Sequence, residues 1–370
     1  MSPIDHARST GSFWLAGAME SYNFLTLHRD EARHQYFSDD ISRAPFFDPR
    51  TKTWIIGNPV DCRDIISSNK LIPATYAEDY EALAERFGVD FSNLIFAFHY
   101  IPLCLSGERH AHIRMAVGKF LAKRRDMVEG RLPELVARHL GAFRREGRIE
   151  VMGDIVEPLV HEYTCLIAGI EPEDAKECHR TSQIFDKSSN LNKRKAMEAE
   201  IASLRTMIAS RSEGASDEEI GLRLAYFILG KDPLKGTLGS SLYRLLTEWA
   251  GSPLTEVEFP DYPPETGVPF IERIVIEPFS HGGTSFEPGN RVRIFLQSFS
   301  HTQSPLGRSN FFGAGSHACL GRPLSLSFWN SVAAYLSASP MRATVLSHTP
   351  RTTDYVFACP DVLSVDVTHA

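Results

Sequence analysis

The sequence predicts a mainly α-helical fold with a minor β-lobe, and three observations carry that expectation. A single apolar stripe, Ile220, Leu224, Phe227, Leu234, Leu238, Leu242, Leu245 and Trp249, keeps helical spacing across one long segment. It opens on S-D-E-E-I, a capping box with Ser216 as cap and Glu219 three positions later. Against this helical background, A-P-F-F-D-P-R-T-K-T-W-I-I-G-N reads as a β-hairpin. Asp48-Pro49 begins its turn, and residues 53 to 56 are β-branched and aromatic. The chain ends in alternating, strand-like D-V-L-S-V-D-V.

At 370 residues, with 43% hydrophobic and 23% charged residues, the composition is that of a globular protein. A net charge of −7 speaks against phosphate-driven nucleic-acid binding. The six cysteines, Cys62, Cys104, Cys165, Cys178, Cys319 and Cys359, are scattered without a C-x-x-C pair, which favours reduced thiols over disulfides or metal clusters. M-S-P-I-D-H-A-R has no apolar signal core and no apolar run reaches 18 residues, so the expectation is a soluble, cytoplasmic protein without a membrane span. No repeat or low-complexity linker divides the chain, and residues 1–370 read as one domain.

Taken in order, residues 1 to 40 suggest one or two short helices around Phe13, Trp14, Leu15, Tyr22, Phe24 and Leu25. After the hairpin, Val60, Cys62, Ile65 and Ile66 mark a helix. Residues 75 to 106 are aromatic and irregular; Phe96, Phe98 and Tyr100 alternate, which shares a face if the run is extended. His110 and Arg114 are four apart on a helix that starts nearby, whereas His110 and His112 cannot face one way on it. Residues 132 to 170 suggest two amphipathic helices with Gly147 between them and residues 149 to 152 extended. The second ends at Gly169, with Pro172 beyond. Residues 171 to 212 are polar and helix-prone.

The chemistry concentrates in F-F-G-A-G-S-H-A-C-L-G-R-P-L-S-L-S-F, residues 311 to 328. Cys319 sits where a Gly-rich approach turns into a helix whose stripe runs Leu320, Leu324, Phe328, Ala333, Leu336. A thiolate there is stabilised by unpaired backbone N–H groups and the positive end of the helix dipole. Gly313, Gly315 and Gly321 remove side chains on both sides of the sulfur, as a flat ligand against the backbone requires. A haem iron held by a thiolate needs such an arrangement.

Phe312, Gly315, His317, Cys319 and Gly321 match the F-x-x-G-x-[HR]-x-C-x-G signature, and in this the chain resembles the cytochrome P450 enzymes. The resemblance implies haem b with Cys319 as axial ligand, Phe312 packed near the sulfur and His317 at a haem propionate. His110 and Arg114 fit the family's H-x-x-x-R pair of propionate donors, and Arg273 its strand arginine. The long helix resembles the one crossing the haem, where the family carries [AG]-G-x-[DE]-T-[TS]. Here Leu229, Gly230, Lys231, Asp232, Pro233 and Leu234 stand, so glycine and acid are kept but the threonine is Pro233. Proline has no hydroxyl and frees the carbonyl of Leu229. Thr237, one turn later, is the candidate substitute alcohol, Asp232 the candidate proton carrier, and Lys231 beside Asp232 reads as half of a helix-surface ion pair. A second departure is the missing E-x-x-R helix before Pro263-Pro264, in a stretch too short for it.

The resemblance implies monooxygenase-type hydroxylation or oxidation of a small organic substrate in a bacterial biosynthetic (secondary-metabolic) or catabolic pathway, with electrons from a ferredoxin or flavodoxin. Pro233 keeps open a peroxide-driven or non-oxidative rearranging enzyme. The missing E-x-x-R helix keeps open a catalytically inactive haem- or partner-binding protein.

Overall fold

The fold was analysed in a computed structural model, which describes residues 23–24, 26–27, 36–37, 44–178, 181–186, 189–212, 214–302, 305–351 and 356–370. Most of the short helices expected before residue 40 lie outside these residues. The chain forms two compact units, one built from residues 1–74 with 269–318, the other from residues 75–268 with 319–370.

The first unit carries the β-lobe. Strands β1 (Phe46–Asp48) and β2 (Thr53–Ile56) form the expected antiparallel hairpin, Phe46 opposite Ile55. Asp48 closes its turn by accepting from the Arg50 backbone N–H at 3.1 Å and the Thr51 hydroxyl at 2.9 Å. Helix α1 (Pro59–Ile66) follows, capped by Asn58 and burying Cys62, Ile65 and Ile66. With β3 (Leu71–Pro73), β5 (Phe270–Val275) and β8 (Arg291–Phe295), the hairpin completes a sheet of order β1-β2-β8-β5-β3, while β6 (Phe279–His281) and β7 (Thr284–Phe286) pair separately. Inside it, Arg293 holds Glu272 at 2.6 Å and the carbonyl of Phe24 at 2.7 Å, so this buried cation is paired.

The second unit is helical, with a smaller sheet. Helices α2 (Ala77–Phe87) and α3 (Ser92–Phe98) come first. Residues 92 to 98 are thus helical, not extended, and Phe96, Phe98 and Tyr100 do not share one face by alternation. The cause is a contact invisible locally: the Glu198 carboxylate accepts from the backbone N–H groups of Asn93 (3.0 Å) and Leu94 (2.9 Å), satisfying donors at the helix start. Helix α4 (Gly107–Leu140) is one continuous 34-residue element that joins the helix expected around His110 and Arg114 to the first of the two expected after residue 132. Its buried positions Ile113, Leu121, Val128, Leu132, Leu135, Val136 and Leu140 continue past Pro133, so packing on one face carries the helix through the proline.

Strand β4 (Gly147–Glu150) covers the first half of the stretch expected to be extended, residues 149 to 152; residues 151 and 152 are already helical, and a π-turn over Met152–Val156 leads into α5 (Glu157–Ala168). Gly169, at φ 71°, ends that helix in the left-handed conformation that favours glycine. Helix α6 (Leu191–Arg211) is capped by Asn190, and α7 (Asp217–Glu248) by Ser216, whose hydroxyl accepts from Glu219 N–H at 3.2 Å as the capping box predicts. After α7 only Leu254–Glu256 is helical before β5, so no E-x-x-R helix forms there. Helix α8 (Arg322–Ser337) then buries Leu324, Phe328, Ala333 and Leu336. β9 (Met341–Pro350) and β10 (Pro360–His369) join β4 in a sheet of order β4-β10-β9.

Two features fix α7. Its backbone lies against residues 266 to 268: a Cβ on Gly236 would stand 2.1 Å from the carbonyl oxygen of Ala358 and 2.9 Å from Gly267 Cα. On its other side Lys235, buried, reaches Glu157 at 2.7 Å. Burial pushes the Glu157 carboxyl up, but the hydrogen bond and charge of Lys235, with Lys231 and Arg351, outweigh it and hold the carboxyl below its ordinary value.

Gly236→Ala is expected to cost about 3 kcal/mol, because backbone rather than a movable side chain blocks the methyl. Urea unfolding should show a lower midpoint at unchanged slope. Glu157 is 45% exposed, so solvent screening discounts its ion pair to about 1 kcal/mol. A lowered folded pKa contributes stability above the ordinary carboxyl value, lost as pH falls through the folded one. Wild type should therefore lose stability on acidification in that window, and Glu157→Gln should be weaker at pH 7 and flatter towards acid in urea titrations at the two pH values.

Candidate functional site around Cys319

Cys319 lies three residues before α8, in a turn whose backbone N–H groups are not yet consumed by the helix. Gly321 and Arg322 direct their N–H groups at the sulfur, and the side-chain charges of Arg114 and Arg322 act on it as well. All four influences lower the thiol pKa. Burial among protein atoms outweighs them and pushes it above the ordinary thiol value. Yet by surface area Cys319 is the one exposed cysteine, the other five being buried. Both facts fit a sulfur set deep in protein that solvent reaches through an opening.

Arg114 supplies a cation towards that sulfur from α4. Burial lowers its pKa and the charge of Cys319 raises it. It forms no ion pair with a carboxylate among the described residues. One turn earlier His110 is buried on the same helix. Gly321 adds no side chain beside the sulfur: the point where a Cβ would stand is 3.7 Å from Sγ, with the Tyr226 hydroxyl at 3.8 Å and its Cε2 at 3.9 Å. This donor set, a thiolate with N–H support, an adjacent cation without a carboxylate, and a bare glycine, fits an anionic, flat iron cofactor such as haem.

The α7 residues are placed less simply. Gly230 faces Tyr226 and Thr164: its missing Cβ would stand 3.3 Å from Tyr226 Cε1 and 3.2 Å from Thr164 Cγ2. Pro233 sits within a continuous helix, and Asp232 is buried. The Thr237 hydroxyl accepts from the backbone N–H of Gly267 at 2.9 Å, so its role here is to tie α7 to the neighbouring chain. Lys231 is not on the surface: it is buried and donates to the Cys178 carbonyl at 3.3 Å. The reading of Lys231 as half of a surface ion pair is therefore corrected; the apolar surroundings, Phe227 among them, draw its stem inward.

The second unit thus brings Cys319, Gly321 and Arg114 together. Phe312, Gly315, His317 and Arg273 belong to the first unit. There Gly315 has φ 64°, a conformation that favours glycine, while the space beside it would leave an added Cβ in ordinary contact, 3.4 Å from Ser67 Cα. Arg273 is buried on β5 and donates to the Glu272 carbonyl at 2.9 Å. Tyr226 escaped the sequence reading because it lies beside the apolar stripe, next to Phe227, where a tyrosine looks like any other packing ring.

No family model matches the sequence, and no curated protein matches it. Solved structures do. The crystal structure of CalO2 superposes with a TM-score of 0.75 at 16% identity, covering 95% of this chain and 99% of that one. The cytochrome P450 CYP109B1 from Bacillus subtilis gives 0.67 at 16% identity, over 90% of this chain and 98% of that one. The chain has the cytochrome P450 fold. A third P450, P450BioI, solved with an acyl carrier protein bearing hexadec-9Z-enoic acid, gives 0.71 at 16% identity over 90% of this chain and 99% of its own. No helix of the described residues is long and apolar enough to cross a membrane.

With one exposed thiol on this P450 fold, iodoacetamide under native conditions should add a single adduct at Cys319, read by intact mass. Arg114→Gln removes a partly screened charge that lowers the thiol pKa, so alkylation at pH 8 should slow about two- to fivefold.

Proposed function

We propose that the protein is a haem-thiolate oxidoreductase that binds haem b through Cys319 and oxidises a small organic substrate. The observation that carries this reading is the Cys319 turn: a sulfur with two backbone N–H groups aimed at it, a glycine beside it and Arg114 facing it. Haem held by a cysteine thiolate supplies an electron-rich iron for oxidative chemistry. The N–H groups of Gly321 and Arg322 stabilise the deprotonated sulfur that ligation requires. Arg114, with His110 one turn away, offers positive charge for a propionate. The roles implied for Phe312, Gly315, His317 and Arg273 rest on the resemblance alone.

The monooxygenase form of this reading takes electrons from a ferredoxin or flavodoxin and needs a proton path. Asp232 is its candidate carrier. A specific observation favours the second form, peroxide-driven or non-oxidative chemistry: Pro233 has no hydroxyl, and that of Thr237 is engaged by Gly267. The alcohol partner of the acid is therefore missing at Pro233, and the remaining candidate, Thr237, has its oxygen turned to the Gly267 N–H.

The test is the spectrum of the reduced, carbon monoxide-treated protein. A strongly red-shifted thiolate-type band in wild type, absent in Cys319→Ser, is expected; an imidazole-type spectrum, or no haem uptake, overturns the assignment. With the band in hand, turnover on peroxide without response to a reductase selects the second form.

A further inference from the structure

We propose that Tyr226 is the steric gate over Cys319, so that a flat group comes to lie against the sulfur only when this ring turns aside. The proposal deepens the haem-thiolate reading and rests on it for the identity of the incoming group. The gate itself rests on the ring alone.

Tyr226 stands on α7 one turn before Gly230. Its Cε1 edge lies 3.3 Å from where a Gly230 Cβ would be, closer than all but a small share of real Cβ contacts, so this glycine provides the ring's seat. The other edge faces Gly321: the point where a Cβ would stand there is 3.8 Å from Oη, 3.9 Å from Cε2 and 3.7 Å from Cys319 Sγ. One phenol therefore bridges α7 and the cysteine turn, and packs against both large apolar clusters of its unit. Gly230 makes room for the ring, and at Gly321 an added Cβ would only touch it at ordinary contact distance.

A comparison with Tyr163 shows what kind of contact this is. The Tyr163 hydroxyl donates to the Leu324 carbonyl at 2.8 Å, and its ring lies 4.6 Å from that of Phe328, centre to centre. That tyrosine is locked by a directional bond. Tyr226 makes no hydrogen bond with another described residue and is only partly buried. Burial, with Tyr163 and Cys319 adding to it, keeps the phenol neutral well above its ordinary pKa. A neutral ring held by packing alone leaves its seat by a rotamer change, without stranding a hydrogen-bond partner.

The experiment compares two thiol reagents on the full chain, since Cys319 is the exposed thiol. Iodoacetamide is small; N-(1-pyrenyl)maleimide is broad and flat. If the open rotamer is populated at about 10%, removing the ring should raise the pyrenyl rate about tenfold, because a group that needs the open form binds in proportion to its population. Tyr226→Ala should show this rise with little change in the iodoacetamide rate, and Tyr226→Phe should behave as wild type. Tyr226→Leu, which retains apolar packing, stands in if the alanine variant fails to fold. Haemin titration followed by absorbance should show faster uptake in the same variants. An unchanged ratio of pyrenyl to iodoacetamide rates overturns the gate, whatever haemin does. A raised ratio upholds it, and if haemin then binds to neither protein, it is the haem-thiolate reading that falls.

Discussion

The second unit depends on a backbone contact that leaves no room for a side chain. Helix α7 meets residues 266 to 268 so closely that a Cβ on Gly267 would stand 2.3 Å from the Pro233 carbonyl oxygen, and one on Gly236 would strike the Ala358 carbonyl. Thr237 takes the Gly267 N–H, and the Gly267 carbonyl takes the N–H of Ala358 at 3.0 Å. The main chain of one segment is thereby satisfied partly by a helix side chain and partly by the segment beyond it. From this fixed point α7 presents Tyr226 and Gly230 towards the cysteine turn, while Lys235 and Ser241 face the surrounding chain. Pro233 fits the same logic, since a residue without an N–H and a backbone packed against another backbone both belong where ordinary helix surface is absent.

Where the family resemblance places an E-x-x-R helix, this chain has a connection that clamps α8 from outside. Trp329 donates its indole N–H to the Pro260 carbonyl at 2.7 Å, Phe259 packs near that indole, and Arg322 donates to the Tyr262 hydroxyl at 2.6 Å. Arg244, at the end of α7, holds Glu248 at 2.7 Å and the buried Glu265 at 3.0 Å. Support for the cysteine helix has passed from a helix to a handful of side-chain contacts in irregular chain. A shorter sequence can keep the position of α8 in this way, because the orientation of a helix is set by what its apolar face and its few polar anchors touch.

Much of this was legible in the sequence. The hairpin, the capped α7, the stop at Gly169 and the C-terminal strand each rest on local rules, and local rules were enough. The fold class followed from them, and the cysteine turn from a five-residue spacing. What failed needed distant information. Residues 92 to 98 became a helix because Glu198, a hundred residues away, meets their N–H groups. The continuity of α4 through Pro133, which local rules do not give, comes from a buried stripe that runs on both sides of the proline. Lys231 went inward because a carbonyl waited at Cys178. Thr237 and Tyr226 could not be sorted from a single chain at all, since a threonine bound to a backbone and one facing a ligand look alike in sequence.

The distribution of sulfur has a consequence for the protein's lifetime. Burial raises the thiol pKa of Cys62, Cys165 and Cys359 to about 12 and that of Cys178 to about 11, so at neutral pH these are inert hydrocarbon-like packing. Among the cysteines, oxidation is thus directed to Cys319, the one exposed thiol, whenever that sulfur is not engaged. Sulfenic acid there can be reversed by a thiol, whereas the further steps to sulfinic and sulfonic acid cannot. A chain whose proposed task places it beside oxidants therefore carries its own fuse, and the ligand that makes the sulfur useful is also what keeps it from being spent.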